Sequence, residues 1–230
     1  MQKTLKLLGK NLNITIRNDG DEAIMHEVLV QREYRPCDEI IKNAQHAILD
    51  IGGHLGFFSL YASLFNSKVP IYTFEPHEGN YQLLKQNLKQ NRVKNVHPKQ
   101  VAVGAEQKQI QLQISQEDLN HSTTKALEPT GEIQAVQQTT LERIFKKNRI
   151  ETCELIKMDC EGAEFDILYT APDWIFEKTK HLFLEYHDWV EGQSSNQLKH
   201  FLEKKGYRVE KKPNQRVGEI GFLWALKKHR

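Results

Sequence analysis

Four acidic residues, Asp50, Glu75, Asp159 and Glu185, each close a short apolar run in this chain of 230 residues. Carboxylates at such positions accept hydrogen bonds from hydroxyls, pair with cations, ligate metals and exchange protons. Asp50 opens the run Asp50-Ile51-Gly52-Gly53-His54-Leu55-Gly56, and Glu75 follows 25 positions later, after Ile71-Tyr72-Thr73-Phe74. An acidic strand end, a glycine turn, a helix and a second acidic strand end are how an α/β sheet holds an adenine nucleoside. The glycines let backbone approach the ligand, and the second carboxylate takes the ribose hydroxyls. The glycines here read G-G-x-x-G rather than G-x-G-x-x-G, with an aspartate two positions ahead of the first. That aspartate would face a pyrophosphate as anion against anion. It suits a ligand with a cationic or zwitterionic end, such as S-adenosylmethionine, better than NAD.

A second group of candidates follows two later apolar runs. Asp159, Glu161 and Glu164 come after Leu155-Ile156-Lys157-Met158; Glu185, His187 and Asp188 come after Leu182-Phe183-Leu184. Methyl transfer to oxygen needs an aligned hydroxyl and a group to take its proton. His187 alone has an ordinary pKa near neutrality, so it is the expected general base, with Asp159 or Glu185 orienting it or the substrate. Asp159, Glu185 and His187 also form an oxygen-rich set with one imidazole, which suits a divalent metal such as Mg or Mn. Glu161, beside Gly162, is expected in the site. Glu164 equally fits the first turn of a helix, where the dipole favours acids. Lys157 interrupts a buried-strand pattern, which is unusual for lysine; it either reaches a carboxylate or marks an edge.

These residues need a scaffold that brings strand ends together. Ala47-Ile48-Leu49 reads as the first buried strand and Ile71–Phe74 as the second. Val96 to Val103, Leu155–Met158 and Leu182–Leu184 read as the third, fourth and fifth. Between the first two, Phe57, Leu60, Tyr61, Leu64 and Phe65 recur at helical spacing. Tyr81, Leu84 and Leu88 mark the next helix, Thr139 with Glu142 a capping box, and Ser194 with Gln197 another. Gly206 suits a helix end, and Tyr207–Val209 and Phe222–Leu226 read as closing strands. Gln109–Ile114 alternates polar and apolar as a half-exposed extra strand.

Ahead of this alternation, Leu5–Leu8 and Leu12–Ile16 flank Gly9-Lys10-Asn11 as a hairpin, and a helical stretch with Ile24, Val28 and Leu29 precedes Pro36. The reading is therefore an extension over residues 1–46 packed on a single α/β unit over 47–230. Residues 116–135, polar and containing His121, Ser122 and Thr123, are too long for a simple connector and are expected to be a lid.

Composition narrows the partners. Lys and Arg number 32 against 30 Asp and Glu, so nothing demands a polyanion, and no nucleic-acid partner is expected. The three cysteines form no CxxC pair and read neither as a disulfide framework nor as a zinc site. No signal peptide or membrane span is apparent, and a soluble, cytoplasmic protein is the expectation.

Four stretches carry a resemblance to a known family. Leu49 to Ser59 resembles the first motif of the FkbM-type S-adenosylmethionine-dependent methyltransferases. Phe74-Glu75-Pro76-His77-Glu78-Gly79-Asn80-Tyr81 is similar to their E-P-x-x-x-N motif, and Val101–Gly104 to their third strand end. Ile156 to Glu164 resembles their K-x-D-x-E-G-x-E signature. The resemblance spans roughly residues 20–190 in a consistent order, and His54 departs from the more usual Asn.

It implies an α/β, Rossmann-like class I methyltransferase fold: a seven-stranded, mostly parallel sheet whose last strand is antiparallel. It implies that Asp50, Gly52, Gly53, His54 and Gly56 face the methionine part of the donor. Glu75 and Pro76 would face its ribose, and Ala102 and Val103 its adenine, with Asp159 and Glu161 nearby. Asn80 would orient the following helix. The implied reaction is O-methylation of a sugar, glycan or polyketide-like hydroxyl. The alternatives are an RNA methyltransferase, a non-catalytic nucleoside-binding protein and an NAD-dependent oxidoreductase. Asp159-Cys160-Glu161-Gly162 stands where amino-group methylation would need an N-P-P-Y-type motif.

Overall fold

The computed structural model describes residues 1–115, 129–189, 192–214 and 219–228. The chain opens with β1 (Gln2–Leu7) and β2 (Lys10–Thr15), paired antiparallel from Gln2–Thr15 to Leu7–Lys10. The turn is tighter than the sequence suggests. Leu8 and Gly9, at φ 48° and 76°, form a two-residue connection of the twist that hairpins favour. Helix α1 (Asp19–Met25) starts soon after the hairpin, because Asn18 caps it by accepting from the Asp21 amide. It runs into a single π-helical turn, His26–Val30, and a short α2 (Asp38–Lys42) follows Pro36.

The main sheet holds β3 (Ala47–Ile51), β4 (Ile71–Phe74) and β5 (Val96–Lys99). A second, three-stranded sheet is built from β6 (Ala102–Val103), β7 (Gln109–Ser115) and β8 (Pro129–Thr139). The main sheet continues with β9 (Cys153–Met158), β10 (Thr179–His187), β11 (Tyr207–Pro213) and β12 (Ile220–Lys227). Its order is β11-β12-β10-β9-β3-β4-β5, with β12 antiparallel to both neighbours and β3, β4, β5, β9 and β10 paired in parallel. This is the expected seven-stranded, Rossmann-like sheet with an N-terminal hairpin.

Two expectations change. The single strand expected over 96–103 is two strands in different sheets, since β6 turns away to pair with β8. Part of the expected lid is also sheet: residues 129–135 belong to β8 and pair with β7, while 116–128 lie outside the described residues.

Six helices follow the sheet: α3 (Phe57–Phe65), α4 (Glu78–Gln90), α5 (Leu141–Asn148), α6 (Glu164–Thr170), α7 (Asp173–Lys178) and α8 (Ser195–Lys204). Alternate strand residues serve opposite faces. Leu49, Ile156, Leu182 and Leu184 pack with Phe145, Phe165, Phe176 and Leu198 of α5 to α8. Ile48, Ile71, Leu155 and Phe183 pack with α3, α4, the hairpin and Tyr34. Both faces are thus covered, as parallel sheets require. Each fully buried Leu, Ile or Phe contributes about 1.5–3 kcal/mol. The α5 cap is Thr140, one residue later than expected, and Ser194 caps α8 as expected. No helix among the described residues is long and apolar enough to cross a membrane.

Candidate active site

The turn from β3 to α3 is fixed by its own hydrogen bonds. Gly52 and Gly53 both donate their amides to Phe74 O, at 3.1 and 3.0 Å. His54 N donates to Glu75 Oε2 at 2.8 Å, and Gly56 N donates to Gly53 O at 2.8 Å. These four amides are engaged inside the protein, so they form no cradle for a pyrophosphate. Gly52 is obligatory here. Its φ is 78°, and a Cβ would lie 1.6 Å from the Asp159 carbonyl oxygen.

The acids at the first two strand ends differ in role. Asp50, expected to face the donor, is fully buried and does not line the cavity. Its Oδ2 accepts from Ser59 Oγ at 2.6 Å and Thr73 Oγ1 at 3.1 Å, and its Oδ1 lies 3.3 Å from Lys157 Nζ. Asp50 therefore holds the turn from behind. Gly53 and Gly56 likewise back onto Thr73 and Leu84, outside the cavity lining.

Lys157 is the partner-seeking lysine of the buried strand. It donates to Gly52 O at 2.7 Å and lies 3.9 Å from Asp159 Oδ2. Burial pulls its pKa down, but Asp50 and Asp159 more than offset this and raise it.

Glu75 does line the cavity, 5% exposed. Its Oε1 accepts from His77 N at 2.9 Å and from Asn80 Nδ2 at 3.4 Å. Burial pushes its pKa up to about 7, against the lowering effect of those amides. Asn80 was expected to orient its helix, but the α4 cap is His77. Asn80 instead braces Glu75, and its own Oδ1 is buried without a hydrogen-bond partner. His54, at φ 48°, takes the left-handed turn conformation, so the departure from Asn leaves the backbone shape intact. Burial lowers its pKa to about 4, despite Asp21 Oδ1 at 3.6 Å from Nε2.

These residues line one end of a cavity of about 410 Å³, a typical size for a small-molecule site. Gly52, His54, Glu75, Pro76 and Asn80 stand there with Ala102 and Val103, and with Phe74 and Leu112 as apolar walls. The other end gathers Asp159, Glu161, Glu185, His187 and Trp189 from the ends of β9 and β10. The N-terminal segment closes it with Glu27, Val28, Glu33 and Tyr34. Asp50, Gly53 and Gly56 contribute to the turn itself, Glu164 stands behind His187, and Asp188 accepts from Ser195 N and Oγ at the start of α8; the other predicted site residues line the one cavity.

His187 is only 2% exposed, and its ring is held on one side. Nδ1 lies 2.7 Å from Glu164 Oε1, and Nε2 lies 3.7 Å from Glu161 Oε2. Burial alone would lower its pKa. The charge and hydrogen bond of Glu164, with Glu161 and Asp159, outweigh burial and raise it to about 10. The ring is therefore an imidazolium at neutral pH, which works against the general-base role expected of it. Burial raises Glu161 to about 8 and, reinforced by the charge of Asp159, Glu185 well above the ordinary carboxylate range. The acids able to converge on a metal are Asp159 and Glu161 with His187, rather than the expected Asp159, Glu185 and His187.

Several lining residues carried no signal in the sequence. Glu27, Glu33 and Tyr34 sit on a segment whose apolar spacing announces a helix but not the cavity it walls. Trp189 stacks beside His187 with ring centroids 4.6 Å apart, and Leu112 arrives from the second sheet. Glu164 was legible only as a first-turn acid; its bond to His187 depends on the packing of α6 against β10.

Known proteins resemble this chain. The family model for the methyltransferase FkbM domain matches residues 50–209. A Beauveria bassiana protein called Methyltransferase 1 is 25% identical over 181 residues, covering 70% of this chain and 72% of its own. The AMB antimetabolite synthetase AmbE of Pseudomonas aeruginosa is 22% identical over 242 residues, 89% of this chain but 11% of that much longer protein. Among solved structures, a methyltransferase FkbM from Methylobacillus flagellatus superposes with a TM-score of 0.54 at 17% identity. That match covers 78% of this chain and 43% of the other. The METTL16 methyltransferase domain superposes with a TM-score of 0.57 at 13% identity over 95% of this chain and 74% of the other, a likeness of fold. The family match begins at Asp50 and takes in the glycine turn, Glu75 and the Asp159–Glu164 signature, so the residues that build the cavity also place the chain: it belongs to the methyltransferase FkbM family.

Proposed function

We propose that this chain is an S-adenosylmethionine-dependent O-methyltransferase whose acceptor is a hydroxyl of a sugar, glycan or polyketide-like molecule. The observation that carries the reading is the division of one cavity into a nucleoside end and an acidic end. At the nucleoside end, Glu75 accepts ribose hydroxyls and the orphaned Asn80 Oδ1 supplies a second acceptor beside it. Phe74, Pro76, Ala102, Val103 and Leu112 offer the apolar slot for adenine. The engaged turn amides disfavour a dinucleotide. Bound there, the donor supplies an electrophilic methyl group.

The acidic end suits an uncharged polyol. Glu27, Glu33, Asp159, Glu161 and Glu185 line it, and no Lys or Arg does among the described residues. Such a wall offers phosphates no cationic partner, which counts against RNA. Glu185, at the end of β10 and lining the acceptor end, takes the hydroxyl proton in its ionised form. Asp159 aligns the acceptor, and the charged His187 balances the surrounding acids.

Labelled donor incubated with panels of sugars, hydroxylated natural products and tRNA tests this. Label on a hydroxyl carbon, located by mass spectrometry, is the expected result. Glu185→Gln should lower turnover by about a hundredfold while donor affinity stays within about twofold. Label confined to RNA, or NADH binding in preference to S-adenosylhomocysteine, would overturn the reading.

A further inference from the structure

Asp159 and Glu161 end one strand of the sheet, and His187 ends its neighbour. One ligand atom from each lies within 4.8 Å of the others, and all three side chains line the cavity. The independent observation is the state of His187. Its ring is 2% exposed, and Glu164, itself fully buried, holds Nδ1 at 2.7 Å. Glu164 is fixed in turn, since its Oε2 accepts from Gly162 N at 3.0 Å. Nε2 is the nitrogen turned to the two carboxylates, 3.7 Å from Glu161 Oε2. A carboxylate on the far nitrogen is how a metal-binding imidazole is oriented and its tautomer fixed.

We propose that Asp159, Glu161 and His187 Nε2 form a site for a divalent cation of the Mn²⁺ class, with Glu164 positioning the imidazole. Metal binding displaces the proton that His187 otherwise carries at neutral pH, and two carboxylates with the neutral imidazole then cancel the charge of a dication. A mixed oxygen and nitrogen set suits Mn²⁺ better than Mg²⁺, which prefers oxygen alone. Three protein ligands leave open positions facing the cavity, where a vicinal diol can bind through both oxygens and lose a proton more readily. The site goes beyond the proposed methyl transfer, and its occupancy is read without turnover.

The test uses the full chain, stripped with chelator and titrated with Mn²⁺ while the electron paramagnetic resonance signal of free ion is followed. About one equivalent should bind, with an affinity in the micromolar range. Glu161→Gln and Asp159→Asn should each weaken it by about tenfold or more, and Glu164→Gln by about 10–100-fold, with circular dichroism unchanged. Less than about a tenth of an equivalent bound at millimolar Mn²⁺, or an isotherm unmoved by both Glu161→Gln and Asp159→Asn, would overturn the site. S-adenosylhomocysteine titrated into the same wild-type sample separates the two proposals. Loss of that isotherm alone speaks against the donor reading and leaves the metal site standing.

Discussion

Glu33 illustrates how a single cavity acid shapes the stability of the whole. Burial, with the charges of Asp159 and Glu27, moves its pKa from an ordinary 4.5 to about 7. The native protein therefore keeps a proton that the unfolded chain releases above pH 4.5. By linkage, the stability this group contributes is fully present below pH 4.5 and is lost as pH rises to about 7. Glu33→Gln should thus leave the melting temperature unchanged near pH 4.5. At pH 8 it should stabilise the metal-free protein by about 2 kcal/mol. Equal melting temperatures for variant and wild type at pH 8 would contradict the burial argument. His187 carries the same sign: its stabilisation is complete below pH 6.5 and fades as pH rises through about 10. At this scale the sequence revealed residue types but not protonation. His187 looked like a base because its neighbours in space, Glu161 and Glu164, are more than twenty positions away in the chain.

The hairpin and the glycine turn meet through one helix. Asn87 of α4 is fully buried and bonds backbone on both sides. Its Oδ1 accepts from Thr15 N at 2.7 Å, and its Nδ2 donates to Thr15 O at 3.2 Å and Leu55 O at 3.0 Å. Removing it strands buried polar groups, each worth about 1–3 kcal/mol. Asn87→Ala should cost about 2–4 kcal/mol in denaturant unfolding, whereas Asn91→Ala, with its exposed bonds to Asn13, should cost under about 1 kcal/mol. Similar losses for both would show that the hairpin is not anchored by this side chain. Apolar periodicity disclosed β3, β4, β9 and β10, with α3 and α4, because each has a core to face. It ran β5 into β6 because hydrophobicity alone does not mark where a strand changes partner. The seam at Asn87 was hidden because Thr15 and Leu55, whose backbone it bonds, lie far off in the chain.

The whole molecule is almost electroneutral, at +2, yet its one described functional cavity is strongly acidic. Composition averages over a surface and cannot report such segregation. The four FkbM-like stretches were legible because each lies at a strand end with its own local signature. The wall from residues 20–34 was not, since its side chains meet the cavity only after the fold has closed.

Lys157 lies between the two ends of that cavity. The residue is 3% exposed, and its ammonium contacts Asp50, the Gly52 carbonyl and Asp159 together. Lys157→Met strands a buried carboxylate and should cost about 3–5 kcal/mol, much of which Asp50→Asn should restore in the double variant. Additive losses would mean the pair is not coupled. A shared ammonium also makes the turn and Asp159 respond to one another. Thermodynamic reciprocity then requires that whatever donor binding does to acceptor affinity, acceptor binding does by the same factor to the donor, whichever arrives first.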